Sequence, residues 1–154
     1  MFLFKKQKEV KTEKMNKNFS LAETITTITL FSIGAFIGVR GSYYSFAPNP
    51  KSDSTFYETL NGFVSLHIFG YILLFSALCL ILSSVTYGFI KVNNVSNYFM
   101  FIGGFVSSII HFLMATASYN NSVNWLTTWQ LGILSVLLGA IGVYSVVDVY
   151  AKRR

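Results

Sequence analysis

Residues 60–90 read LNGFVSLHIFGYILLFSALCLILSSVTYGFI, without a single Asp, Glu, Lys or Arg. As an α-helix rising ~1.5 Å per residue, such a run is longer than the ~30 Å hydrocarbon core of a bilayer. It predicts a crossing that tilts or extends into the cytoplasm. Outward from it, three further stretches have the length and low charge of a crossing: 21–46, 97–119 and 125–150. Charged residues make up 12% of the chain and hydrophobic ones 53%; an ordinary soluble domain carries about 25% charged residues. The expected fold class is all-α, a polytopic membrane protein with four transmembrane helices in an up-down bundle. The 154 residues hold one such domain, over 20–154, preceded by a basic tail over 1–19.

Lysines and arginines set the expected orientation. Lys5, Lys6, Lys8, Lys11, Lys14 and Lys17 lie in the tail, Lys91 between the second and third spans, and Lys152, Arg153 and Arg154 at the C-terminus. Across the membrane only Lys51 stands in a loop. Both termini are therefore expected on the cytoplasmic side of the inner (cytoplasmic) membrane. The tail is expected to attract anionic lipids, at roughly 1 kcal/mol per basic residue near the surface. Nucleic acid is not an expected partner, because the tail has no arginine and Glu9 and Glu13 interrupt it. Translation from Met15 instead of Met1 would remove most of the tail. No cleavable signal peptide is expected, since the first apolar stretch is too long for one.

The boundaries carry familiar signals. Ser20 and Glu23 have the spacing of a capping box. Tyr43, Tyr44, Trp125 and Trp129 suit the head-group depth of the bilayer. Pro48 and Pro50 end the first helix and open the one substantial loop, which runs to the start of the second span near Leu60. Asp148 and Lys152 are spaced as an i,i+4 pair.

Small residues recur on the helices. Gly34, Gly38 and Ser42 follow at intervals of four; Gly104 and Ser108 begin a face continued by His111, Ala115 and Ser118; Gly132, Ser135, Gly139 and Gly142 share another. Such faces let helices approach closely in lipid. They point to assembly, either with a second copy or with a partner membrane protein.

Chemistry-bearing residues are few. Cys79 is the only cysteine, which excludes an intramolecular disulfide and a cysteine cluster for metal. No nucleophile elbow, phosphate loop or zincin motif is present. Glu23 and Asp148 fall at the expected inner boundary while both histidines fall in the outer half, so no acid–base pair forms and no enzyme is expected. Arg40, His67 and His111 lie at a similar expected depth, ~10–12 Å below the outer boundary by helix rise for the two histidines.

Three readings of that layer are open. The imidazoles hydrogen-bond within the bundle while Arg40 snorkels outward. Alternatively, Arg40, His67 and His111 form a polar layer lining a channel, transport path or ligand site. As a third reading, His67 and His111 ligate a b-type haem in an electron-transfer subunit. No cofactor is expected outside that third reading.

The order TITLFSIGAFIGVRGSYYSFAPNP, then STFYETLNGFVSLHIFGYILLFSALCLIL, then two more spans around Trp125 resembles small four-span membrane proteins encoded by phages and prophages of low-GC Gram-positive bacteria. Phe69-Gly70 stands where that resemblance would place Trp-Gly. It implies a holin-like, exclusion or accessory membrane role and supplies no active-site residues. The leading expectation is a non-enzymatic integral membrane protein that acts by helix–helix assembly.

Overall fold

The computed structural model describes residues 21–46, 55–89, 94–121 and 125–151. The basic tail, Ser20 of the capping box, the prolines of the first loop and Lys152 lie outside the described residues. Five helices follow in order: α1 Leu21–Phe46, α2 Thr55–Phe63, α3 Leu66–Phe89, α4 Val95–Asn121 and α5 Trp125–Ala151. Among the described residues there is no strand. Four of the helices, all but α2, are long and apolar enough to cross a membrane. Their surface agrees, because large apolar side chains such as Phe31, Phe75, Phe112 and Val136 are exposed on all four. Water would penalise those side chains and lipid does not. The molecule is a membrane protein.

The second expected span needs correction. Residues 60–90 do not form one helix, and 55–59 are not loop: α2 ends at Phe63 and α3 begins at Leu66. The cause is local. The Asn61 side chain accepts from the Leu66 backbone N–H at 3.2 Å, and the Ser65 carbonyl accepts the first α3 bond from Phe69 at 3.1 Å. A polar side chain and a serine at the turn thus satisfy donors that a continuous helix would have bonded internally. The short α2 is two-faced. Leu60 is fully buried and Phe56 and Tyr57 pack on the core, while Thr55 and Glu58 are exposed. Thr55 also donates to the Asn121 carbonyl at 3.3 Å. Because α2 packs on α4 and touches α3, it covers one end of the bundle, here termed the capped end.

The long helices pack as a series. α1 lies against α3, α3 against α4 and α4 against α5, with no comparable packing between α1 and α5. Half of the α3 span is buried but only 17% of the α1 span, which makes α3 central and α1 peripheral. Each packed pair runs antiparallel, as its registers show. Gly34 meets Ala77 and Ile81 while Gly41 meets Gly70, Leu73 and Leu74. On the next pair, Ser83 bonds Ser96 and Ser76 bonds Ser107. On the last, Gly104 meets Leu138 and Gly142, Ser108 bonds the Ser135 carbonyl at 2.8 Å, and Thr128 bonds Ser118 at 3.0 Å.

Close approach explains the glycines. A Cβ on Gly41 would lie 2.9 Å from the Leu74 nitrogen, and one on Gly104 would lie 2.9 Å from the Leu138 oxygen. Backbone atoms cannot swing aside, so only glycine lets these helices come together. Two expected packing residues do not serve this purpose. Ser42 is exposed and bonds back to the Gly38 carbonyl at 2.9 Å; the α1 face that meets α3 is Gly34, Gly38, Gly41 and Ser45. A Cβ on Gly132 would meet nothing within 4 Å, and this glycine borders an aromatic groove with Phe112, Trp125 and Trp129.

Candidate functional site

His111 is the most deeply placed polar side chain in a long helix that carries ionisable chemistry, with 0% exposure. Helix geometry puts it one turn beyond Ser107, whose carbonyl is 2.8 Å from Nδ1. A carbonyl only accepts, so Nδ1 carries the proton and donates. In the neutral ring Nε2 is then a bare acceptor. It is buried and has no hydrogen-bond partner.

Arg40 supplies the complementary group. It is half-buried on α1, and Nη1 is buried without a hydrogen-bond partner. Its guanidinium lies 5.3 Å from the centroid of the Phe36 ring, a cation–π contact one turn back on the same helix.

The registers place these two residues at one level. Arg40 precedes Gly41, which lies beside Leu73 and Leu74 of α3. Ser76 of α3 lies beside Ser107 of α4. Moving three residues along α3 from Ser76 to Leu73 corresponds to moving three or four along antiparallel α4, which arrives at His111. Tyr44 is buried, at 4% exposure, and its ring contacts Tyr43 and Tyr57. Tyr57 belongs to α2, so the aromatic cluster ties the capping helix to the wall of this layer.

His67 is not part of it. It lies six residues from Leu73 toward the capped end, ~9 Å along the helix axis, and its side chain is exposed. Its Nδ1 donates to the Ser45 carbonyl at 3.1 Å. The registers therefore set Arg40 and His111 at one level of the bundle, on helices that each pack against α3, and leave His67 nearer the surface. A bis-histidine haem needs both imidazoles on one iron, and no contact between the two is present among the described residues. Nor do three His, Cys, Asp or Glu side chains converge among the described residues.

No family model, curated protein or solved structure matches the chain. Function must be argued from geometry.

A second feature lies at the opposite end. A cleft of about 530 Å³ opens between α1 and α5, lined by Thr29 and Leu30 on one side and Leu137, Ala140, Ile141 and Tyr144 on the other. Its floor holds a polar pair: Asn97 Nδ2 donates to the Asp148 carboxylate at 2.7 Å. Asp148 thus has an interhelical partner besides any contact with Lys152. Asn97 carries no signal in the sequence beyond being polar at the edge of an apolar run. Its role depends on which helix lies opposite, and that is a tertiary fact. The interhelical serines Ser76, Ser83, Ser96 and Ser107 are silent in the sequence for the same reason. They tie α3 to α4 within the chain.

Proposed function

We propose that this is a non-enzymatic multi-pass membrane protein that works by assembling with a second copy of itself through the α1–α5 seam. In this reading both termini face the cytoplasm, which the grouping of ten basic residues at the termini and the second inter-span loop supports. One observation carries the reading: α1 and α5 line a common cleft with no packing comparable to that of the other helix pairs. The small-residue faces expected to serve assembly are taken up inside the chain, where Gly34, Gly38, Gly104 and Gly142 each have a neighbouring helix. The seam is an unfilled surface lined by two helices that are not a packed pair.

The seam has the form of a self-complementary contact. Tyr144 stands on its rim with 67% exposure, next to the hollow it borders. A knob beside a hole on one face allows a two-fold pair in which each tyrosine enters the other cleft, and two-fold pairs are the commonest closed assembly. In lipid, such contacts gain from van der Waals packing and interhelical hydrogen bonds rather than from release of water. An accessory role of the kind that the phage resemblance implies is the physiological setting we propose for this assembly.

Single-cysteine crosslinking tests it. Cys79 is buried, and Cys79→Ala gives a cysteine-free background. In that background Thr29→Cys should crosslink to a dimer in native membranes, whereas Phe112→Cys, on an exposed face of α4, should not. Adding Tyr144→Ala should reduce the Thr29 dimer several-fold. Absence of a Thr29 dimer, or a dimer indifferent to Tyr144→Ala, would overturn the seam as the assembly surface.

A further inference from the structure

The seam cleft has a direction. Residues of three helix ends meet at its floor: Tyr87 lies two residues before the end of α3, Asn97 two residues into α4, and Asp148 three residues before the end of α5. From there the cleft runs between α1 and α5 as far as Leu137, which is ~16 Å from Asp148 by helix rise. Met100 and Leu30, both buried, line the part beyond the floor. With these helices as crossings, the floor lies at a membrane boundary and the far end lies in hydrocarbon. Polar at the boundary and apolar inward is the order of groups in an amphiphile lying in one leaflet.

Charge selects the head group of that amphiphile. Among the described residues lining the cleft, Asp148 carries the charge and none is Lys, Arg or His. The aromatic groove beside Gly132 has no charged residue in its lining, so the two hollows differ in what they can select. In the cleft, Asn97 is buried at 4% exposure and donates from Nδ2 to the Asp148 carboxylate, which fixes the carboxylate in the floor. A carboxylate offers about four lone-pair positions, more than one amide donor occupies. A fatty acid would set a second negative charge beside the first. A phospholipid head, zwitterionic ones included, would bring a phosphate to a lining that has no cation among the described residues. An alcohol brings a donor without a charge. An ammonium group brings both, and its bond to a carboxylate is roughly twice as strong as a neutral one.

We propose that the seam cleft binds an amphiphilic amine, with its ammonium head on Asp148 and its apolar body between α1 and α5, and that this ligand and a second copy of the chain exclude each other. The binding stands on the cleft alone, whereas the exclusion rests on the seam reading above. The apolar body and the second copy's Tyr144 need the same hollow. A ligand that enters only the free cleft shifts the equilibrium toward the monomer.

Photolabelling tests the site. The probe is dodecylamine carrying a diazirine at the far end of its chain, added to the full chain in nanodiscs of neutral lipid. It should label residues 25–30 or 137–144 saturably, and unmodified dodecylamine should displace it. Dodecanoic acid, dodecanol and a lyso-phosphatidylethanolamine at equal concentration should not. Asp148→Asn keeps a hydrogen-bonding partner for Asn97 and should weaken binding at least about tenfold, the scale of one charge-assisted hydrogen bond. In native membranes dodecylamine should lower the Thr29→Cys dimer several-fold, and the added Asp148→Asn change should abolish that response. Labelling that does not saturate, or that the acid or the lyso-lipid displaces as well as the amine does, would overturn the site. Amine-specific labelling beside an unchanged Thr29 dimer would overturn the exclusion. Absence of any Thr29 dimer overturns the seam reading and the exclusion with it, while the labelling still decides the site. If Asp148→Asn does not fold, the displacement series on the unaltered chain decides alone.

Discussion

At the scale of single residues, glycines divide sharply by what stands opposite them. A Cβ on Gly104 would lie 2.9 and 3.0 Å from backbone atoms of α5, whereas one on Gly132 would meet nothing within 4 Å. Gly104→Leu should therefore force α4 from α5 and lower stability by about 1–3 kcal/mol, the usual cost of overpacking. Gly132→Leu should stay within about 0.5 kcal/mol, as exposed substitutions do. Denaturation by SDS in mixed micelles measures both; equal losses would show that α4 and α5 do not meet as described. In the sequence both glycines look alike, because spacing reports a face and not its neighbour. The same limit explains Ser42. A step of four repeated twice drifts by about 80° on a helix of 3.6 residues per turn, while steps of seven and eleven return to the starting face. Gly41 and Ser45 therefore meet α3, and Ser42 does not. His111 is legible as an inward-facing residue from the small residues around it. Its unpaired Nε2 is not, since that depends on Ser107 holding the other nitrogen.

At the scale of elements, three of the four spans match their expected limits to within two residues at each end. Run length and charge decide those limits, and both are read directly from the chain. The second span departs from expectation because an absence of charge does not guarantee a continuous helix. Asn61, Gly62 and Ser65 are uncharged, yet they include a cap and a turn. α2 follows from that break, and so does the cover over the polar layer. Asn61→Ala should remove the acceptor for the Leu66 amide and cost ~1 kcal/mol locally, as loss of a helix cap does. Hydrogen exchange at Leu66 should then quicken about fivefold, with the middle of α3 unaffected. Unchanged exchange at Leu66 would mean that the break is held by packing of Leu60 and Leu66 rather than by Asn61.

At the scale of the whole molecule, the neighbours of each helix are the least legible feature. Four amphipathic or small-residue faces permit several arrangements, and only contacts across helices choose one. Interdigitated glycines choose α1 with α3 and α4 with α5, and paired serines choose α3 with α4. The seam between α1 and α5 remains, and the proposed assembly depends on it. Membrane topology is prior to all of this, because it decides which compartment meets the cap and which meets the seam. The most direct measurement labels single cysteines from outside intact cells with a membrane-impermeant thiol reagent, in the Cys79→Ala background. The account predicts labelling at Ser52→Cys and Ser122→Cys, and none at Lys17→Cys or Asn93→Cys until the cells are opened. Labelling of Lys17→Cys or Asn93→Cys in intact cells would contradict the four-crossing arrangement with both ends in the cytoplasm.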